Sequence, residues 1–314
     1  MTTTPMNLRD LLRGSPAARF MRSFARLQQQ VDRLQLAVGR IEAAAIARAG
    51  GDLPAHELSV FSQWGEDGII AYLLARVPID RPWFVEFGVE DYREANTRFL
   101  LMTRNWRGLV IDGSEAHVRT IREDDVSWRH DLTARCAFVT RDNINALISE
   151  AGFMGDIGLL SIDIDGNDYW VWEAIDVVSP RIVVAEYNSL WGAQRALTVP
   201  YDAAFVRTQK HHSNLYYGAS IAALARLGAA KGYSLVGGNS AGNNAFFVRD
   251  DVRGDLAVMS PETAYRRAAF REARDATGAL TFDDFAGRLR AVAQLPLHDL
   301  VTGREATIAS LGLG

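Results

Sequence analysis

From residue 83 onward, short apolar runs alternate with longer segments whose apolar positions recur every three or four residues. The short runs predict β-strands at residues 83–88, 108–112, 137–140, 158–163 and 181–186. The longer segments, together with one before the first strand, predict helices at residues 69–77, 94–104, 115–123, 144–151, 169–175 and 219–231. Two last runs, 233–236 and 245–248, predict a hairpin with an antiparallel edge strand. Strands that alternate with helices form a sheet covered on both faces, so residues 55–252 are predicted to be a doubly wound, mostly parallel α/β domain.

Residues 1–50 follow a different repeat. Apolar residues occupy both core positions of a heptad, at Phe24, Val31, Val38 and Ala45 and at Leu27, Leu34 and Ile41. This repeat predicts a coiled-coil helix through which the chain forms a homo-oligomer; an amphipathic helix packed on its own domain is the alternative. Eight arginines against three acidic residues give the segment a net charge of +5, which would also allow a weak contact with an anionic membrane surface.

Residues 253–314 lose the alternation of strands and helices. Helical spacing is visible at residues 263–276 and 282–293, with Gly278 and Pro296 as breaks. We predict a helical C-terminal appendage that lies over the end of the sheet or contributes to oligomer contacts.

The composition is typical of a globular protein, with 48% hydrophobic and 23% charged residues in a chain of 314. A formal net charge of −4 argues against binding to nucleic acid. The one cysteine, Cys136, excludes an intrachain disulfide. No apolar run reaches the roughly 20 residues of a membrane span, and the N-terminus lacks the apolar core of a signal peptide. A cytoplasmic location is therefore expected.

The ends of the first three predicted strands carry candidate ligand-binding residues. Glu86 and Gly88 stand where a dinucleotide site requires the spacing Gly-x-Gly-x-x-Gly, and only one of those glycines is present. This argues against a bound pyrophosphate and suits a ligand such as S-adenosylmethionine. Asp112, after the second strand, can accept two hydrogen bonds from ribose hydroxyls. Asp142, after the third strand, offers a polar contact to an adenine amino group.

Three carboxylates follow the fourth predicted strand within six positions, at Asp163, Asp165 and Asp168. Ligands of open α/β sheets bind at the carboxyl ends of the strands, so this cluster is the predicted centre of the chemistry. One carboxylate could cap the next helix, but capping does not require three.

In their order along the chain, these motifs resemble the class I S-adenosylmethionine-dependent methyltransferases, and among them the FkbM-type and macrocin O-methyltransferase-like groups. The resemblance covers residues 58–250 and rests on Val85-Glu86-Phe87-Gly88-Val89, Ile111-Asp112-Gly113-Ser114, Ser161-Ile162-Asp163-Ile164-Asp165-Gly166, Val184-Ala185-Glu186, Gly232-Tyr233 and Asn244-Ala245-Phe246-Phe247-Val248. It implies a Rossmann-like fold in which Glu86 and Gly88 hold the methionine end of the cofactor. Asp112, with Ser114 beside it, would hold the ribose, and Asp142 the adenine. The turn after Gly88 contains less glycine than in relatives.

The same resemblance implies a catalytic centre. Some macrocin-type relatives hold a magnesium ion with carboxylates after the fourth and fifth strands, where this chain has Asp163, Asp165 and Glu186. Such an ion would lower the pKa of the hydroxyl that is attacked; alternatively, Asp163 orients the substrate or the cofactor without a metal. His211 and His212 follow the fifth strand in the segment that covers the active site, and they are the candidate general bases.

Together these residues predict an S-adenosylmethionine-dependent O-methyltransferase that acts on a hydroxyl, of a sugar in a glycan or in a glycosylated small molecule. A metal-dependent glycosyltransferase is an alternative, because Asp163-Ile164-Asp165 has the Asp-x-Asp spacing that binds a metal–nucleotide-sugar complex. A non-catalytic oligomerisation module of the same fold is a third interpretation, which would leave the acidic cluster unexplained.

Overall fold

A seven-stranded sheet forms the centre of the structure, a computed structural model that describes residues 16–268 and 270–313. The strands of the described chain are β1 (Trp83–Phe87), β2 (Arg107–Asp112), β3 (Leu132–Cys136), β4 (Gly155–Ile162), β5 (Val178–Glu186), β6 (Leu197–Thr198), β7 (Tyr233–Gly238), β8 (Asn244–Arg249), β9 (Pro296–Asp299) and β10 (Arg304–Thr307). The central sheet has the order β3-β2-β1-β4-β5-β8-β7, and its pairs from β3 to β5 are parallel. β8 runs antiparallel between β5 and β7. The predicted Rossmann-like, mostly parallel fold is confirmed, and its antiparallel strand lies one position inside the edge.

Helices cover both faces of this sheet. The helices of the described chain are α1 (Pro16–Ile46), α2 (Glu66–Leu74), α3 (Arg98–Arg104), α4 (Glu115–Glu123), α5 (Val126–Arg129), α6 (Ile144–Glu150), α7 (Asp168–Ala174), α8 (Arg207–Lys210), α9 (Ile221–Ala230), α10 (Pro261–Ala264), α11 (Phe285–Val292) and α12 (Ile308–Leu311). Successive strand residues point to opposite faces. Val85 and Phe87 of β1 share a buried cluster with α6, α7 and α9, whereas Phe84 packs in a second cluster with α2 and α3. No described helix combines the length and the apolar composition that a membrane crossing requires.

The third strand lies five residues before the predicted one. β3 is Leu132–Cys136, and residues 137–140 follow it without regular structure. β3 is the edge of the sheet and all its residues are only half-buried, so polar side chains interrupt its apolar pattern. Phe138 and Val139 are apolar for another reason, because they line a cavity. The prediction of a strand at 137–140 was wrong because the apolar run belongs to a cavity wall.

The C-terminal region also differs from the prediction. Of the described residues between 263 and 276, only the end of α10 is helical, because residues 265–268 form hydrogen bonds with residues that follow β5 instead. The Tyr187 hydroxyl donates to the oxygen of Arg266 and accepts from its nitrogen, and the nitrogen of Ala268 donates to Ser189 Oγ. The second predicted helix is present as α11. β9 and β10, which the helical pattern did not predict, form a three-stranded sheet with β6.

Residues beyond 270 share a hydrophobic core with residues 190–217. The buried side chains that they contribute are Ala273, Val292, Leu297, Ile308 and Leu311, and they pack with Trp191, Leu197, Phe205 and Tyr216 among others. The C-terminal region is therefore anchored over the carboxyl ends of β4 and β5, where it adds to the walls of the site described next.

Candidate functional site

A cavity of about 600 Å³ opens at the carboxyl ends of β1, β2, β4 and β5. This is the location that open α/β sheets use for ligands. Its walls contain most of the predicted site residues, namely Glu86, Gly88, Asp112, Asp163, Asp165 and Glu186. Within the described chain, four other predicted residues do not line it, namely Ser114, Asp142, His211 and His212.

Glu86 is buried near the end of β1 and is held by the residues that precede α3. Its Oε1 accepts a hydrogen bond from the nitrogen of Asn96 at 2.9 Å, and its Oε2 accepts from the nitrogen of Thr97 at 3.1 Å and from the Thr97 hydroxyl. Burial raises the pKa of Glu86 to about 7, although these hydrogen bonds favour its charged form. A positively charged group in the cavity would therefore favour the ionised carboxylate.

Gly88 directly follows β1 with φ of 70°, a conformation that other residues rarely adopt. A Cβ atom at this position would lie 1.7 Å from the backbone oxygen of Asp163. The turn after β1 thus packs backbone against backbone on the turn after β4. Gly88 lines the cavity as predicted, but the neighbouring turn alone is enough to require glycine.

Asp112 ends β2 and is tied to the surrounding backbone. Its Oδ2 accepts from the nitrogen of Glu90 and its Oδ1 from the nitrogen of Ser114, both at 2.8 Å, and His117 Nδ1 lies 3.2 Å from Oδ1. The hydroxyl of Ser114 caps α4 by accepting from the nitrogen of His117. Ser114 therefore positions Asp112 and α4, while Asp112 itself faces the cavity. A carboxylate oxygen can accept more than one hydrogen bond, which leaves Oδ2 able to accept another.

The segment after β3 presents an apolar wall. Phe138 and Val139 line the cavity beside Asp112. Asp142, the predicted adenine contact, instead accepts a hydrogen bond from the Tyr201 hydroxyl at 3.1 Å outside that wall. A planar ring in this part of the cavity would meet apolar side chains and no carboxylate from residue 142.

The acidic cluster after β4 divides into two parts. Asp168, the first residue of α7, holds the turn before that helix, since its carboxylate accepts from the nitrogens of Ile164 and Gly166, each at 2.9 Å. Asp163 and Asp165 remain, and with Glu186 at the end of β5 they bring one carboxylate oxygen each to within 4.8 Å of one another. β4 ends at Ile162, so the turn, rather than strand alternation, brings these carboxylates together.

Asp163 and Glu186 have carboxyl pKa values above the ordinary range. Burial raises the pKa of both carboxyl groups well above the usual values, and the neighbouring carboxylates raise it further. Two interacting acids of this kind titrate as a pair. Burial and the neighbouring carboxylates thus both favour the protonated form, and either a proton or a cation relieves the repulsion between the carboxylates.

Arg207 is the basic side chain of the cavity wall, and the sequence interpretation did not identify it. It forms ion pairs with Asp165 and Glu272, and its Nε donates to the oxygen of Asn214 at 2.7 Å. Its guanidinium also lies 3.9 Å from the centre of the Tyr217 ring. Protein groups thereby balance the charge of Arg207 and fix the position of its guanidinium.

The two predicted general bases stack on each other away from the cavity. The ring centres of His211 and His212 are 4.1 Å apart, and His211 Nδ1 lies 2.7 Å from Ser213 Oγ. Burial and the neighbouring His212 lower the pKa of His211. α8 carries Arg207 to the wall, and the chain then turns, which leaves the histidines outside it.

Three buried oxygens on the wall accept no hydrogen bond from any residue that the structure describes: Glu186 Oε2, Asn167 Oδ1 and Asn244 Oδ1. The amide nitrogens of the two asparagines are used, since Asn167 donates to the oxygen of Asp202 and Asn244 donates to Glu66, each at 2.8 Å. Buried acceptors without partners are costly. An ordered water or another hydrogen-bond donor would satisfy them.

An aromatic pair forms part of the cavity wall. Trp64, from the loop before α2, stacks on Phe270 of the C-terminal region with ring centres 5.7 Å apart, and both line the cavity. Sequence reasoning missed this pair because the two residues lie more than two hundred positions apart. The polar and aromatic run Ser62-Gln63-Trp64-Gly65-Glu66, so close to an apolar helix, was the available signal.

The wall is strongly acidic. Among the described residues it carries nine carboxylates, namely Glu66, Glu86, Glu90, Glu94, Asp112, Asp163, Asp165, Glu186 and Glu272, against the single guanidinium of Arg207. The field of such a wall favours cationic and neutral ligands and disfavours polyanions.

No family model and no curated protein matches this chain. Solved structures match parts of it at low similarity. An O-methyltransferase from Bacillus cereus in complex with SAH is 17% identical with a TM-score of 0.38, and the match covers 68% of this chain and 88% of that one. The N-terminal domain of EvdMO1 with SAH bound is 10% identical with a TM-score of 0.35, over 54% and 73% of the two chains. An S-adenosylmethionine-dependent methyltransferase from Clostridium acetobutylicum is 11% identical with a TM-score of 0.28, over 40% and 51%. The function proposed below rests on the geometry of the cavity.

Proposed function

We propose that this chain is an S-adenosylmethionine-dependent O-methyltransferase whose acceptor is a hydroxyl of a sugar. The observation that carries the proposal is the position of Glu86, Gly88 and Asp112 on one wall, at the carboxyl ends of two adjacent parallel strands. Asp112 would accept hydrogen bonds from the ribose, and Glu86 would face the ammonium group of the methionine end. The apolar surface of Phe138 and Val139 would cover the adenine. When bound, the cofactor supplies an electrophilic methyl group.

The charge of the wall supports a sulfonium cofactor over a nucleotide sugar. A nucleotide sugar carries a diphosphate, and the one guanidinium that could meet it among the described wall residues, Arg207, is already paired with Asp165 and Glu272. S-adenosylmethionine carries a positive sulfonium and an ammonium, which the carboxylates favour. Asp163-Ile164-Asp165 keeps the glycosyltransferase alternative open to test, although Asp165 is engaged with Arg207.

A hydroxyl acceptor fits the other side of the cavity. The carboxylates of Asp163 and Asp165 line the cavity there and can accept hydrogen bonds from a polyol. Trp64 and Phe270 offer the aromatic surface on which the apolar face of a sugar ring packs. Asp163 would take the proton of the reacting hydroxyl, because its raised pKa suits a base that works near neutral pH.

A magnesium ion at Asp163, Asp165 and Glu186 is the alternative to the base role of Asp163. The three carboxylates are hard oxygen ligands at adjacent strand ends, and Glu186 Oε2 has no partner among the described residues. The donor set therefore fits a divalent cation, which would polarise the acceptor hydroxyl. If Mg²⁺ acts here, EDTA abolishes turnover while S-adenosylhomocysteine still binds, because the ion contacts the acceptor side.

Calorimetry with S-adenosylhomocysteine and with nucleotide diphosphate sugars, each with and without Mg²⁺, tests the function. S-adenosylhomocysteine at 100 times its Kd should stabilise the protein by about 2.7 kcal/mol, and Asp112→Asn should remove most of this effect. Asp142→Asn is the matched control, because it makes the same change outside the cavity wall and should bind like the wild type. Heat with a nucleotide sugar and none with S-adenosylhomocysteine would establish the glycosyltransferase instead. Binding of neither ligand would favour the non-catalytic module.

A further inference from the structure

The long helix α1 meets its own domain through one narrow face. Gly39 and Ala43 are buried, and Leu36 and Ile46 are half-buried. Gly39 allows the close approach, since a Cβ atom there would lie 2.7 Å from the side chain of Val60. Ala43 shares a small buried cluster with Val60, Ala71 and Phe99. α1 therefore packs on its own domain, as the alternative interpretation of the repeat expected, and it does so through residues outside the predicted heptad core.

The heptad positions themselves face solvent. We call these residues the seam: Phe20, Phe24, Leu27, Val31, Leu34, Val38, Ile41 and Ala45. Their larger members from Phe24 to Ile41 are between 47% and 72% exposed. No residue that the structure describes covers the seam. A contiguous apolar stripe about 38 Å long, at 1.5 Å per residue, is more than a surface of scattered apolar side chains and indicates a partner.

The seam and the docked face lie on nearly opposite sides of α1. At 100° per residue, the seam and the set around Gly39 and Ala43 are centred roughly 140° apart. A partner can therefore cover the seam without displacing the helix from its domain. From this geometry we propose that the partner is a second copy of this chain, joined through the seam as a parallel, two-stranded coiled coil with one domain on each outer side.

The residue types of the seam select this partner. Val31 and Val38 occupy one core position of the heptad, and Leu27 and Leu34 the other. β-branched residues at the first position with leucine at the second favour two parallel strands. In that arrangement each seam residue meets its own counterpart, so valine layers alternate with leucine layers.

The flanks of the seam raise no barrier to self-association. In a parallel pair, Ser23 faces Gln28 of the second copy, Gln30 faces Gln35 and Ala37 faces Glu42, so no like charges oppose each other. The exposed arginines Arg26, Arg33 and Arg40 repeat every seven residues on the outer surface. An anionic membrane would require these arginines to border both sides of the apolar face, whereas they form one row.

Light scattering of the full chain after size exclusion tests the pairing. The wild type should show twice the 34.7 kDa of one chain. Leu34→Glu places a charge in the seam and should halve the mass, whereas Arg33→Glu, one residue away on the outer row, should leave it unchanged. Circular dichroism should give the same melting of the α/β domain in all three proteins, because the seam does not touch that domain.

Disulfide formation tests the orientation. In a Cys136→Ser background, Phe24→Cys should form a disulfide-linked dimer on mild oxidation, because residue 24 meets residue 24 only in a parallel pair in register. Arg33→Cys, on the outer row, should not. Cross-linking at neither position, with the mass still doubled, would overturn the parallel arrangement.

Two results would overturn the pairing itself. One is a single-chain mass for the wild type at micromolar concentration. The other is a doubled mass that survives Leu34→Glu. Flotation of a monomeric protein with vesicles that contain phosphatidylserine, lost in Leu34→Glu, would assign the seam to a membrane surface instead.

Discussion

Replacing Glu86 with glutamine tests how the fold holds a buried acid at its cavity wall. The residue Glu86 is 4% exposed, and burial raises the pKa of its carboxyl group to about 7. Glutamine keeps the shape of the side chain and, like the protonated acid, carries no charge. The substitution therefore removes the titration and leaves the packing of β1 in place.

The sign follows from the direction of the pKa change. A carboxyl group that binds its proton more tightly in the folded protein stabilises the fold fully below its unfolded pKa, and this contribution is lost as the pH rises through its folded pKa. For Glu86 the window runs from 4.5 to about 7. Each pKa unit corresponds to about 1.36 kcal/mol, so Glu86 should lower the stability of the wild type by roughly 2–3 kcal/mol between pH 5 and pH 8.

Urea unfolding followed by tryptophan fluorescence at pH 5 and pH 8 measures this quantity. Asp67 and Asp168 also have pKa values raised to about 6 by burial, so the stability of the wild type falls with pH for several reasons. Glu86→Gln removes only the contribution of Glu86, so its loss of stability between the two pH values should be smaller by roughly 2–3 kcal/mol. Glu94→Gln is the control, because it makes the same change at an exposed carboxylate of the same wall.

Parallel profiles for the wild type and Glu86→Gln would refute the reasoning. A uniform loss of stability at both pH values would show that glutamine breaks the hydrogen bonds with Asn96 and Thr97 and that the charge of Glu86 costs nothing. A profile for Glu94→Gln that flattens as much as that of Glu86→Gln would show that burial of Glu86 is not the cause.

Three further outcomes are expected. Gly88→Ala should lower the free energy of unfolding by about 3 kcal/mol or more in urea, because its Cβ would meet a backbone oxygen; Gly113→Ala, whose Cβ would lie 3.7 Å from its nearest neighbour, should change it little. Trp64→Ala should raise the KM for a sugar acceptor severalfold in steady-state kinetics, because Trp64 and Phe270 form the aromatic surface proposed for the sugar ring. The calorimetric affinity for S-adenosylhomocysteine should be unchanged. His212→Ala should keep turnover within about threefold of the wild type, since His212 lies outside the cavity wall, and a loss of a hundredfold would return it to the catalytic centre.

The sheet and the first half of the site could be predicted because their signals are local. β1, β2, β4 and β5 are buried on both faces, so they appear in the sequence as continuous apolar runs. Each of these runs ends in the polar residue that the cavity uses, such as Glu86 or Asp112. β3 was not recognised because every residue of this edge strand is only half-buried and polar residues interrupt its apolar pattern.

The rest of the site depends on contacts that no local pattern records. Arg207 reaches the wall from α8, which lies within the long connection between β5 and α9. Its partner Glu272 comes from the C-terminal region. Trp64 and Phe270 meet only after the chain has folded around the sheet. The two histidines were predicted as general bases because of their chemistry. The backbone turn after α8 places them outside the cavity wall, which the sequence does not reveal.

The two roles proposed for the acidic cluster exclude each other, which makes the cluster open to a decisive comparison. Mg²⁺ requires Asp163, Asp165 and Glu186 to be ionised together, whereas Asp163 can act as a base only if its carboxylate is free to take a proton. In the first case the three carboxylates would hold the ion and would have to be deprotonated to do so, so Mg²⁺ should bind more tightly as the pH rises. The ion would supply Lewis-acid polarisation of the acceptor hydroxyl. In the second case EDTA has no effect and Asp163→Asn abolishes turnover while S-adenosylhomocysteine still binds. Arg207 adds a constraint to the first case, because its ion pair with Asp165 must loosen before that carboxylate can turn fully to a metal.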